Sequence, residues 1–261
     1  MLLAVDVGNT QTHLGVFDKE VLAHEWRAAT EARRTADELA LMFGEFLSLA
    51  DLSFSRQISG VAISSVVPRA TQELREMTSR YFGFPAVVVE PGVKTGLAIL
   101  TDSPKEVGAD RIANAVAAHA MYPDHPKIIV DFGTAITVDA VSARGEYLGG
   151  AIAPGLDTAA GALFSSTAQL PRVELIEPIG PIGKSTVASI QSGIIYGTAG
   201  LVDGLVVRVA EEMGGTARVI ATGGMAQVLA RHCRTIEETK PMLTLEGLRL
   251  IFQRNADGIG R

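Results

Sequence analysis

The 261-residue chain carries 23 Lys and Arg against 29 Asp and Glu, a net charge of −6, and shows no dense basic cluster beyond Arg33-Arg34, which argues against a nucleic-acid partner. Its single cysteine, Cys233, permits no intrachain disulfide; this fits a reducing compartment and reads as a buried bystander. With no basic leader, and no run reaching the ~18 uninterrupted apolar residues of a membrane span, a cytoplasmic protein without a membrane partner is expected.

In chain order, Leu2-Leu3-Ala4-Val5-Asp6-Val7 is an apolar strand with one carboxylate. It breaks into Gly8-Asn9-Thr10, and apolar alternation resumes through Gln11, Thr12 and His13 to Phe17. The pattern predicts a β-hairpin whose tip, built on turn-tolerant Gly8 and Asn9, presents N–H groups and a hydroxyl. Such a tip suits phosphate oxygens, and a carboxylate at the strand end suits a Mg²⁺ shell. An ordinary hairpin with a buried Asp is the plainer alternative. Val21 to Ala28 reads as a third strand. Thr35 and Glu38 have capping-box spacing ahead of a helix burying Leu39, Met42, Phe43, Phe46 and Leu47. Ile58 to Ser64 is a strand, Pro68 opens a helix running to about Phe82, and Ala86 to Glu90 is a strand.

From Lys127 the opening recurs. Ile128-Ile129-Val130 ends in Asp131, Phe132-Gly133-Thr134-Ala135 follows, and strands are predicted at 127–131, 135–141 and 146–152. Helix is predicted through most of 155–214, then a strand at Ala217 to Ala221 and a closing helix carrying Leu245, Leu248, Ile251 and Phe252. Three strands, helix, strand, helix, strand, with the hairpin repeated, implies two similar halves, placed at 1–116 and 117–261. This arrangement resembles the α/β superfamily of sugar kinases, actin and chaperone ATPases. It implies two ribonuclease H-like half-domains, mixed sheets flanked by helices, with ATP in the cleft between them.

Between the halves, Glu106-Val107-Gly108-Ala109-Asp110-Arg111 precedes apolar residues at helical spacing, so Asp110 and Arg111 lie at a helix N-terminus, which favours anions. Asp110 reads either as a dipole-balancing first-turn acid or as the acceptor of a substrate hydroxyl proton. Arg111 reads as a structural ion pair or as a clamp on an acidic substrate. Gly180 to Thr186 imitates a phosphate loop, but the required first glycine is Pro178 and Pro181 removes an N–H. Gly223-Gly224 after a strand permits close approach of a flat ligand such as adenine, or is a plain strand–helix turn. The five histidines lack metal-ligand spacing, and no G-x-S-x-G elbow is present.

Across nearly its whole length the chain resembles the type III pantothenate kinase family, through D-V-G-N-T at 6–10, S-S-V-V-P at 64–68, E-V-G-A-D-R at 106–111, D-F-G-T-A at 131–135, G-G-A-I-A-P-G at 149–155, I-Q-S-G-I at 190–194 and A-T-G-G at 221–224. The resemblance implies transfer of the ATP γ-phosphate to the primary hydroxyl of pantothenate at the start of coenzyme A synthesis. It implies that Asp6, Val7, Gly8, Asn9, Thr10, Gln11, Thr12 and His13 contact ATP, with Asp6 at the Mg²⁺–phosphate end, and that Thr134 contacts ATP as well. By the same resemblance, Asp131 helps bind a monovalent cation, K⁺ or ammonium. Gly108, Ala109, Asp110, Arg111 and Thr186 hold pantothenate, with Asp110 as proton acceptor. A homodimer with pantothenate near the subunit interface is implied too, in agreement with a mean hydropathy of +0.25. In one departure, Thr101 stands where the family usually carries a pocket-lining tyrosine. A kinase for another small hydroxy-acid or sugar, or a non-catalytic regulator of transcription, are the alternatives; the intact carboxylates at 6, 110 and 131 argue against the regulator.

Overall fold

Strand alternation sets the architecture. In β1 (Leu2–Val7) the odd residues Leu3, Val5 and Val7 enter one core, and the even residues, Asp6 included, face the other side of the sheet. The computed structural model describes residues 1–167 and 170–256. β1 pairs antiparallel with β2 (Gln11–Asp18), which pairs with β3 (Val21–Ala29). On its other edge β1 runs parallel to β4 (Gly60–Ser65), and β4 to β5 (Val87–Val88), giving the order β3-β2-β1-β4-β5.

Two helices close the odd-residue face. Helix α1 (Ala36–Ser48) begins with the predicted capping box: the Glu38 N–H donates to the Thr35 hydroxyl, and the Glu38 carboxylate accepts from the Thr35 N–H at 2.8 Å. α2 (Pro68–Met77) begins on proline and runs into a π turn at Thr78–Phe82, which Gly83 ends in the left-handed region at φ 76°. Phe43, Leu47, Leu74 and Met77 pack there against Val5 and Ile63.

After β6 (Ala98–Ile99) and α3 (Ala109–Met121), the same plan is built again. β7 (Lys127–Phe132), β8 (Ala135–Val141) and β9 (Glu146–Pro154) form the antiparallel part; β10 (Arg218–Thr222) and β11 (Glu238–Thr239) run parallel to β7 on its other edge. The order β9-β8-β7-β10-β11 repeats the first sheet strand for strand, with β6 added beyond β9. The helical segments expected over 155–214 are two, α4 (Leu156–Ser166) and α5 (Thr186–Glu212). Pro171, Pro178 and Pro181 fall between them, where missing N–H groups and fixed φ stop helix propagation. The core on this side joins Val130 and Val138 to Ile195, Val202 and Val206 of α5 and to Leu229 of α6 (Ala226–Leu229). α5 is long and apolar enough, by length and composition, to cross a membrane.

The chain divides into two compact units. The first comprises Met1–Ala98, Asp102–Ala117 and the described chain from Leu243; the second comprises Ile99–Thr101 and Ala118–Met242. The division falls inside α3, and the closing helix α7 (Leu243–Asn255) belongs with the first unit. Periodicity reports that a helix has an apolar face, not which sheet it covers.

Candidate active site

In the first unit, the β1–β2 hairpin turns over three residues. The Gly8 N–H donates to the Gln11 carbonyl at 3.0 Å, and a Cβ on Gly8 would lie 3.1 Å from that oxygen. Glycine eases this close approach; neither Gly8 nor Asn9 adopts the left-handed backbone expected of them. Asn9, Thr10 and Gln11 are exposed at the tip, and Asp6 is half-buried behind it. Val7 is buried in the core, which leaves only its backbone to face a ligand. The buried Thr12 hydroxyl lies 2.9 Å from that of Thr30. His13 is the register partner of Asp6, and its ring is held by Glu25 at 2.9 Å. Burial lowers the His13 pKa, against the opposing pull of the Glu25 hydrogen bond, so the imidazole beside Asp6 is neutral at pH 7. Glu25 and Thr30 lie on or just after β3, and strand alternation alone gives no signal for these contacts.

The even-residue face of this sheet is lined by small residues because α7 lies against it. A Cβ on Gly15 would come 2.8 Å from Leu245, and one on Gly60 would overlap the Phe252 ring. Gly60, Ala62 and Ser64 are the register partners of Leu2, Ala4 and Asp6. Ser64 is fully buried, and its hydroxyl has no hydrogen-bond partner. The Ser65 hydroxyl, by contrast, accepts from the Val67 N–H at 3.1 Å. Nothing in the local pattern of the strand singled out Ser64; its signal is positional, a polar residue beside Asp6.

α3 places the second group of candidates. Asp110 sits in its first turn, where Oδ1 accepts from the Arg111 N–H at 2.8 Å. A Cβ on Gly108 would lie 2.5 Å from that same carboxylate oxygen. Ala109 is buried, and Gly108, Asp110 and Arg111 are half-buried. The helix is fixed against α7 by a hydrogen bond from the Thr244 hydroxyl to Asn114 Oδ1, 2.7 Å, and by contact of Gly247 with the Ala113 backbone.

In the second unit, Asp131 is the penultimate residue of β7 as Asp6 is of β1, with Thr137 and Thr222 as its register partners. The hairpin tip is shorter: the Gly133 N–H donates to the Ala135 carbonyl at 3.1 Å. The Thr134 carbonyl accepts from the Gly155 N–H at 3.1 Å and the Thr158 hydroxyl at 2.8 Å, tying the tip to the start of α4. Gly223, at φ 93°, packs on the Asp131 carboxylate and the Phe132 backbone; the glycine first considered for a flat ligand is used to admit Asp131. Thr137 in turn donates to the buried Asp139 carboxylate at 2.8 Å, whose other oxygen accepts from Tyr147 at 2.6 Å.

Thr186 is the first residue of α5 and is exposed, behind a Ser185 cap that accepts from the Ala188 N–H at 3.1 Å. The loop before it is no phosphate loop. Residues 173–176 are not a strand, the Pro181 carbonyl is taken by the Ser192 hydroxyl at 2.7 Å, and Gly183 packs on the first turn of α5. Thr101 lies in the second unit with a buried hydroxyl lacking a hydrogen-bond partner, near Gly149. Cys233 is half-buried, and burial raises its thiol to about 12, which keeps it protonated and inert.

Residues 2–208 match a model of type III pantothenate kinase. The type III pantothenate kinase of Streptomyces avermitilis is 53% identical over 262 residues, covering 98% of each chain. That of Moorella thermoacetica is 50% identical over 255 residues, covering 98% of this chain and all of its own. The solved inorganic polyphosphate/ATP-glucomannokinase of Arthrobacter sp. strain KM covers 98% of both chains at 14% identity, with a TM-score of 0.52, a likeness of fold alone.

Proposed function

The chain belongs to the type III pantothenate kinase family, and we propose how its residues divide the work of that activity. The reaction moves the γ-phosphate of ATP to the primary hydroxyl of pantothenate, giving 4′-phosphopantothenate for coenzyme A synthesis. Membership favours this over a non-catalytic regulator. The observation that carries the assignment of roles is the repeated hairpin, each copy carrying a carboxylate one residue before the end of its first strand, Asp6 and Asp131.

The Asp6–His13 hairpin holds ATP through the N–H groups and hydroxyls of its tip, and Thr134 contacts ATP from the second hairpin. Phosphoryl transfer through a loose transition state asks mainly for positioning and charge neutralisation. Mg²⁺, when bound, supplies neutralisation of the phosphate oxygens. The donor set fits it: the ion takes one or two carboxylates plus phosphates and water, and Asp6 is one carboxylate beside an unpaired hydroxyl. Asp131 helps hold a monovalent cation, K⁺ or ammonium.

Gly108 to Arg111 and Thr186 bind pantothenate, Arg111 facing its carboxylate. Asp110 orients the attacking hydroxyl and collects its proton. A carboxylate is a weak base against an alcohol, so the proton leaves late in the transfer. The working location is the cytoplasm.

The active form is a homodimer. α5 is apolar around most of its circumference yet leaves Gly193, Gly197, Gly200, Leu201 and Val207 outward, a pattern that a second chain would cover. Light scattering on wild type and Gly197→Leu tests this: a dimer reduced to monomer is expected, and an unchanged mass would move the interface elsewhere.

The activity itself is tested by ADP release from Mg-ATP with and without pantothenate, in K⁺ or Na⁺ buffer. Turnover that needs pantothenate and rises in K⁺ is expected. Pantothenate-dependent turnover indifferent to the cation would remove the role of Asp131 alone.

A further inference from the structure

Ser64 is a fully buried hydroxyl with no hydrogen-bond partner. Leaving such a group unpaired is costly, and proteins rarely keep one without use. Its two predecessors on the same face, Gly60 and Ala62, are small and apolar, as the approach of α7 requires. The face turns polar only at the end of β4, where Ser64 is in register with Asp6 on the adjacent parallel strand. Register partners on neighbouring strands lie about 5 Å apart with side chains on one face. One water, or one ligand oxygen, is then within reach of both. The backbone ladder continues past them, with the Val66 N–H donating to the Val7 carbonyl at 3.1 Å, so strand pairing fixes Ser64 beside the hairpin.

We propose that Ser64 is a positioning residue of the ATP site, its hydroxyl bonding the hydrated Mg²⁺–phosphate end that Asp6 holds. This rests on the Asp6 assignment above. The hydroxyl acts through the water shell and the Asp6 carboxylate, and it touches no reacting atom. Its empty hydrogen-bonding capacity in the ligand-free chain is the complement of what the loaded site supplies.

The test compares wild type, Ser64→Ala and Asp6→Asn by thermal unfolding, alone and with Mg²⁺ plus a non-hydrolysable ATP analogue, and by turnover against Mg²⁺ concentration. Removing an unpaired buried hydroxyl stabilises, so the ligand-free Tm of Ser64→Ala is expected to rise by about 2 to 4 °C. The Tm gain on adding Mg²⁺ and the analogue is expected to shrink, and half-saturating Mg²⁺ to rise by roughly 5- to 10-fold, the loss of one hydrogen bond. A Ser64→Ala protein with an undiminished nucleotide-induced Tm gain and unchanged Mg²⁺ dependence overturns the proposal. If Asp6→Asn loses that gain while Ser64→Ala keeps it, only the Ser64 role falls; if both keep it, the Asp6 assignment falls too.

Discussion

Gly247 of α7 lies so close to the Ala113 backbone of α3 that no Cβ fits between the two helices. One turn before Ala113, α3 presents Asp110, so a contact remote from any ligand sets the position of the proposed proton acceptor. Gly247→Ala forces the helices apart. Overpacking of this kind costs about 1 to 3 kcal/mol, a Tm fall of roughly 2 to 12 °C for a chain of this size. The displacement of α3 should also lower kcat by about 10- to 100-fold. Melting curves and steady-state kinetics check both; a stability loss with intact kcat would uncouple α7 from the site.

Asp110→Asn keeps shape and removes the proposed base. Loss of a general base costs ~10² to 10⁴ in rate, and the pantothenate KM should change little, since the amide still meets the hydroxyl. A loss of kcat of tenfold or less would dismiss Asp110 as proton acceptor and leave it a first-turn acid balancing the helix dipole.

The repeat of hairpin and strand order was readable because apolar alternation and the Asp-x-Gly-x-Thr and Asp-x-Gly-Thr punctuation are local signals. The Thr35–Glu38 capping box was readable for the same reason. What was not readable is non-local. Periodicity showed that α7 had an apolar face but not that Leu245 and Phe252 cover β2 and β4. Nor did it show that prolines split 155–214 into two helices. Asp139 is the same kind of omission: a carboxylate in an apolar strand becomes explicable only when Tyr147, from the next strand, is found on it.

Thr101 has a buried, unpaired hydroxyl at the position where the family's tyrosine is expected to line the substrate pocket. Thr101→Val keeps the volume and deletes the hydroxyl. If that group serves pantothenate, the pantothenate KM should rise by about 5- to 10-fold with kcat nearly unchanged, the cost of one hydrogen bond. An unchanged KM would mean the hydroxyl serves no ligand.

Asp131→Asn addresses the cation. Its carboxylate is framed by Gly223 and by its partners Thr137 and Thr222, so the amide should fit with little loss of stability. Stimulation by K⁺ over Na⁺ should disappear in this variant, which would retain slow pantothenate-dependent turnover. Retained stimulation would place the cation elsewhere.

Lys127 gives a pH dependence of stability with a definite sign. It is fully buried, 2.8 Å from His119 Nδ1 and 3.2 Å from the Ser142 carbonyl. Burial, opposed by Asp124, lowers its pKa from 10.5 to about 8. Between those values the unfolded chain binds a proton that the folded chain has lost, so this group makes stability rise with pH from about 8 to 10.5 and depresses it below 8. Relative to Lys127→Met, wild type should gain up to about 3 kcal/mol across that window. The hydrogen bonds lost in the variant add an offset that does not change with pH over that range. Denaturant unfolding of both proteins at pH 7.5, 9 and 10.5 reads the difference directly, and parallel stability curves would mean that Lys127 stays charged in the fold.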